Sequence, residues 1–151
     1  MKSKNKLIVL EGIDGVGKTT VASALKKALR QRGISAILYE DHEEVHPGLN
    51  SLKPLVKQLP VVGSHLFYLA SAIYKSQEIK KLLQKYWVIC DRYVYSSMAY
   101  HKAKGSTLRI KIPDDVLRPD HAFLLTLDEF IRRTRVRQKK FGVKQPKNFA
   151  E

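Results

Sequence analysis

An α/β fold with a parallel sheet is what this sequence predicts, on three observations. Short, wholly apolar runs alternate with segments of helical period, the pattern of strands joined by crossover helices. The first run, Leu7–Leu10, feeds a glycine-rich turn and then an amphipathic segment. A later run, Tyr86–Cys90, ends in an acid, Asp91.

Each element follows in order. Leu7–Leu10 has no polar residue, as suits a strand buried on both faces. Residues 18–31 form the first helix, with Val21, Ala24, Leu25, Ala28 and Leu29 as its apolar face. Gly33 stands where a helix-ending glycine belongs. Ile34–Tyr39 is a second strand. Asp41–Pro60 is polar and contains prolines, so it reads as loop with one short helix. Leu66–Leu83 is a long helix, Tyr86–Cys90 a strand, Val94–Lys102 a helix and Gly105–Pro119 mostly loop. Ala122–Leu127 is a fourth strand and Asp128–Lys140 a basic helix. Crossovers between parallel strands are right-handed. Ligands of such sheets bind beyond the C-terminal strand ends, where Gly12, Asp91 and Asp128 would lie.

At 151 residues the chain suits one domain, here 1–151, with a buried core. Hydrophobic residues make up 44% and charged residues 28%, which argues against disorder. No apolar run is long enough to span a bilayer. The basic start, Met1–Lys6, precedes an apolar run too short for a signal peptide. Cys90 is the lone cysteine, so no internal disulfide can form, and a cytoplasmic setting is expected. The net charge of +14 fits a polyanionic ligand. It is uneven: between Phe130 and Ala150 stand eight basic residues and no acid. The basic segment at about 132–147 is therefore either a phosphate-binding element or a generic basic tail.

Gly12-Ile-Asp-Gly-Val-Gly-Lys18-Thr19 fits the P-loop pattern GxxxxGK[ST], with a strand entering and a helix leaving. Glycines let backbone N–H groups converge on an anion without Cβ obstruction, and the helix N-terminus adds a positive dipole end. ATP is thus the expected ligand of Gly12, Asp14, Gly15, Val16, Gly17, Lys18, Thr19 and Thr20. Lys18 would meet the β- and γ-phosphates, and the Thr19 hydroxyl would ligate Mg²⁺. For Thr20, an α-phosphate contact and simple helix packing are equally open. Asp14 is unusual beside an anion, since like charges ~4 Å apart at an effective dielectric near 20 repel by about 4 kcal/mol. It either points to a sugar hydroxyl or caps the local turn.

Trp87-Val-Ile-Cys-Asp91-Arg92 has the form of a Walker B strand. Asp91 would hold Mg²⁺ directly or through water, and Arg92 could grip a second phosphate bidentately.

These segments together resemble the thymidylate kinase family: LIVLEGIDGVGKTT at 7–20, WVICDRYVYSSMAY at 87–100, Pro119-Asp120 before the fourth strand and Leu127-Asp128 at its end. The resemblance implies a P-loop NTPase fold with a flavodoxin-like strand order, Mg²⁺, ATP as donor and dTMP as acceptor. It implies that Asp14 meets the acceptor's 3′-hydroxyl and that Arg92 binds its phosphate. Ser97 would sit at the thymine edge, Tyr100 beneath the deoxyribose and Tyr68 against the base. A lid arginine would stabilise the transferring group, worth ~10³–10⁵ in rate. Arg135 and Arg137 are the candidates. The family is often a homodimer.

Two positions depart from the family pattern. Ala72 stands four residues after Tyr68, where an arginine is usual, and residues 39–48 contain no arginine and are acidic. Two other readings therefore stay open. One is a kinase of an unphosphorylated nucleoside, with Glu40, Asp41, Glu43 or Glu44 as a base. The other is a nucleotide- or nucleic-acid-binding module without turnover, against which the sequence has no aromatic-rich basic surface and no nucleic-acid motif. The five histidines show no metal-ligand spacing.

Overall fold

The computed structural model describes residues 5–39, 48, 51–109 and 111–140. In chain order the elements are β1 (Leu7–Glu11), α1 (Lys18–Gln31), β2 (Ala36–Tyr39), α2 (Lys53–Val56), α3 (Val61–Leu82), β3 (Trp87–Asp91), α4 (Val94–Ala103), β4 (His121–Leu124) and α5 (Glu129–Lys140). The acids and histidines of 40–47, and 141–147 of the expected lid-like segment, lie outside the described residues.

All four strands are parallel, as the alternation of apolar runs and helices predicts. Their order is β2-β3-β1-β4. This corrects the flavodoxin-like order, in which β1 would separate β2 from the strand ending at Asp91. Here the crossover through α1 carries the chain past one strand position, and β3 fills the gap. The exchange matters for chemistry. Leu10 of β1 pairs with Asp91 of β3, so the phosphate loop and the acid leave neighbouring strands side by side.

Strands β1, β2 and β3 are mostly buried because their apolar runs have no polar face to offer water. Leu7, Val9, Val88 and Cys90 pack on one side with Ala72 and Ile79 of α3 and Val94 of α4. Ile8, Leu10 and Ile89 pack on the other with Ala22 and Leu29 of α1. Each large aliphatic side chain so buried is worth roughly 1.5–3 kcal/mol. The face of α1 is rotated from the expected one: Lys18, Ala22 and Leu29 are buried, while Val21 and Ala24 are exposed. Spacings of four and seven select the true stripe, and both stripes look apolar in an alanine-rich helix.

Two boundaries shift by three residues or more. α3 begins five residues before its expected start, at Val61, behind Pro60 in an extended conformation (φ −52°, ψ 153°). β4 stops at Leu124 rather than Leu127. It is an edge strand whose four residues are all exposed, Leu124 by 74%. Its entry is held by Asp120, whose carboxylate accepts the Leu7 N–H at 2.9 Å and pairs with Lys6 at 2.9 Å.

Candidate active site: two cavities that meet at Asp91 and Arg92

The loop between β1 and α1 is glycine-rich for a steric reason. Gly12 (φ 143°) and Gly15 (φ 88°) hold backbone conformations that side chains resist. A Cβ on Gly12 would lie 2.7 Å from the Leu125 carbonyl oxygen, and one on Gly15 2.7 Å from Val136 Cγ2 of α5. Gly17 caps α1 in a left-handed conformation, and Val16 is buried beneath the loop.

Lys18 is buried at the start of α1, with its ammonium donating to the Ile13 carbonyl at 3.3 Å. Burial lowers its pKa, and the nearby Arg92 guanidinium lowers it further, against the opposing pull of Asp91, Asp14 and Glu11. An arriving anion would reverse that shift. The Thr19 hydroxyl donates to Asp91 Oδ2 at 3.1 Å. One hydroxyl and one carboxylate make a hard-oxygen donor pair. They suit Mg²⁺, which keeps several waters and takes its other ligands from substrate phosphates. Among the described residues no cluster of three or more His, Cys, Asp or Glu could hold a metal by protein ligands alone.

Arg92 is a non-glycine residue with positive φ, 69°. Such a conformation costs about 1–2 kcal/mol and must be held by its surroundings. Its N–H donates to Leu10 O at 3.0 Å, and Cys90 Sγ lies 3.0 Å from its carbonyl oxygen. The next amide, of Tyr93, donates to Glu11 Oε1 at 3.0 Å, while Ser96 Oγ donates to Glu11 Oε2. The twist brings Arg92 Nη2 to 2.5 Å from Asp14 Oδ1. Asp14 is largely exposed, and an exposed pair adds only ~0–1 kcal/mol of stability. The pair is better understood as a preset arrangement of polar groups than as a structural brace.

Helix α5 closes over the loop. Arg132 Nη1 donates to the Asp14 carbonyl at 3.1 Å, and its other nitrogens grip Glu129 at 2.7 and 2.8 Å. Hydrogen bonds from Arg132 and then Arg133 hold the Glu129 pKa down to about 2. Arg135 lines the cavity of about 650 Å³ above the loop with Gly15, Gly17, Lys18, Thr19 and Thr20. Arg137 lines none of the three cavities that Arg92 bounds.

The second cavity, about 370 Å³, lies between α3 and α4 and contains Tyr68, Ser97 and Tyr100 in its walls. Four of the five residues expected to meet an acceptor, Tyr68, Arg92, Ser97 and Tyr100, thus line one cavity, while Asp14 lines the other. His101 lies in the same wall, buried and stacked on His65 with ring centroids 4.7 Å apart. Its Nδ1–H donates to Ser97 O at 2.7 Å, leaving Nε2 to accept from Ser64 Oγ at 3.1 Å. Asp91 and Arg92 line both cavities. Three contributors escaped the sequence reading. Glu11 was visible only as the end of an apolar run, Arg132 was one of many basic residues, and nothing in local sequence marks His65 and His101 as neighbours.

Two cavities meeting at one acid and one arginine give a donor polyphosphate and an acceptor a common boundary, the layout of a P-loop nucleotide kinase. The sequence matches the thymidylate kinase family over residues 10–150. It is 36% identical over 143 residues to a probable thymidylate kinase of Pyrococcus abyssi, covering 86% of this chain and 70% of that one. It is 35% identical to the thymidylate kinase of African swine fever virus, covering 80% of this chain and 50% of the viral one. The structure resembles thymidylate kinase from Ehrlichia chaffeensis with a TM-score of 0.61 and 27% identity, over 92% of this chain and 80% of that one. It shares the fold of the Candida albicans enzyme with a TM-score of 0.63 at 24% identity, over 93% and 78%. The chain belongs to the thymidylate kinase family, whose members are ATP-dependent nucleoside-monophosphate kinases.

Proposed function

We propose that this chain transfers the γ-phosphoryl group of ATP to dTMP, forming ADP and dTDP. The observation that carries the reading is Arg92, which lines both cavities and pairs with Asp14 of the phosphate loop. The loop amides and Lys18 bind the donor's β- and γ-phosphates, and Thr20 flanks the α-phosphate. Arg92 holds the acceptor phosphate, and Asp14 takes the 3′-hydroxyl. Tyr68 stacks on the base, Ser97 meets its edge and Tyr100 lies under the sugar. With Ala72 in place of an arginine, base selectivity falls mainly on those contacts.

Little proton chemistry is needed, so rate comes from alignment and charge neutralisation. Thr19 and Asp91 would hold Mg²⁺, which when bound neutralises charge on the β- and γ-phosphate oxygens. Arg135 is placed to face the transferring group. Arg137, the other candidate of the lid-like segment at about 132–147, does not line that cavity. The same reading makes 1–151 one kinase domain working in the cytoplasm as a homodimer. No helix among the described residues is long and apolar enough to cross a membrane.

The test is ADP release from Mg-ATP with a panel of nucleoside monophosphates, with thymidine alongside. The expected result is fastest release with dTMP, and loss of at least about a hundredfold in a Lys18→Met variant. Turnover of thymidine but not dTMP would make the chain a nucleoside kinase. Absence of ADP release with every one of these acceptors would end the kinase reading.

A further inference from the structure

We propose that Lys53, at the start of α2, is a second cationic ligand for the acceptor's phosphate, working with Arg92. The inference rests on the acceptor reading of the cavity between α3 and α4. A phosphomonoester carries a charge near −1.5 to −2 at neutral pH. Arg92 contributes one positive charge, but it is paired with Asp14, and Asp91 lines the cavity as well. In the cavity wall Asp91 cancels the one guanidinium charge, so Arg92 alone leaves no net attraction for a phosphate.

Two further cations line the cavity, Lys53 and Lys75, and with them the wall of Lys53, Lys75, Arg92 and Asp91 carries a formal +2. Lys75 already has an interaction of its own. The ammonium of Lys53 makes no hydrogen bond or ion pair among the described residues, although the side chain is half-buried. An anionic ligand would supply the partner this ammonium lacks among the described residues. Lys53 is the first residue of α2 and is followed by Pro54. Its three N–H donors suit phosphate oxygens without demanding one orientation. Lys53 thus serves where residues 39–48 provide no arginine.

The experiment compares dTMP with thymidine, which differ only in the phosphate. Lys53→Met keeps the stem and removes the charge. Calorimetry should show dTMP binding weakened roughly tenfold or more, with thymidine binding unchanged. The KM for dTMP should rise more than kcat falls, and Lys53→Arg should restore most of the affinity. Lys57→Met, one turn further on at an exposed position, is the control for loss of positive charge in general. If the parent protein binds and turns over dTMP but Lys53→Met binds it equally well, the role of Lys53 is refuted. Equal weakening toward thymidine and dTMP also refutes it, since that marks a structural effect. If the parent protein neither binds nor phosphorylates dTMP, the acceptor assignment itself fails, and the inference with it.

Discussion

The strained arginine shows how much of this site is decided by single side chains. Arg92 stays in a left-handed conformation because the groups on either side of it are held. Glu11 supplies one of those holds by accepting from the Tyr93 amide and the Ser96 hydroxyl. Removing that carboxylate leaves a buried N–H with no partner, which costs about 1–3 kcal/mol. Glu11→Ala should therefore lower unfolding free energy by that amount in urea titration and loosen Arg92. Glu11→Gln, which can still accept from Tyr93, should lose less. Lys18, Thr19 and Asp91 were legible in sequence because the chemistry of a phosphate loop demands those residue types at that spacing. Glu11 was not, because its role depends on an amide 82 residues away, and no local pattern encodes such a pairing.

Among the elements, α5 carries the clearest consequence. Its contact with the phosphate loop runs through Arg132 to the Asp14 carbonyl and through Val136 against Gly15. Arg132→Met keeps most of the packing and removes the hydrogen bond. The expected outcome is an ATP KM raised roughly tenfold, with a smaller change in the dTMP KM, read by steady-state kinetics at saturating second substrate. The basic helix was visible from its charge. Which arginines face the loop was not, because a helix with a basic residue at almost every turn offers several equivalent faces. Arg135 reaches the cavity and Arg137 does not, a difference of about 200° around the helix. The same ambiguity explains α1, whose alanines made two stripes look alike. Strand positions fared better, since wholly apolar runs between turn residues admit few alternatives, while strand order depends on crossovers that no single run records.

For the molecule as a whole, acid should be destabilising, and one source is the stacked histidine pair. Burial, then the charge on His101, lowers the His65 pKa from 6.5. The unfolded chain thus binds that proton first as pH falls. The contribution is fully present above about pH 6.5 and is lost as pH drops through the lower, folded-state value. Melting temperature should fall between about pH 7.5 and pH 5.5, and less steeply in His65→Asn. Glu129, held to about 2, acts in a separate window below its ordinary value of 4.5. At this scale too, Arg92 has a consequence beyond its own contacts. It bounds both cavities and repels the Lys18 ammonium. An anion entering either side relaxes that repulsion, which alters what the other side gains from filling. Thermodynamic linkage makes the effect mutual, so the two substrates must modify each other's affinity by one common factor.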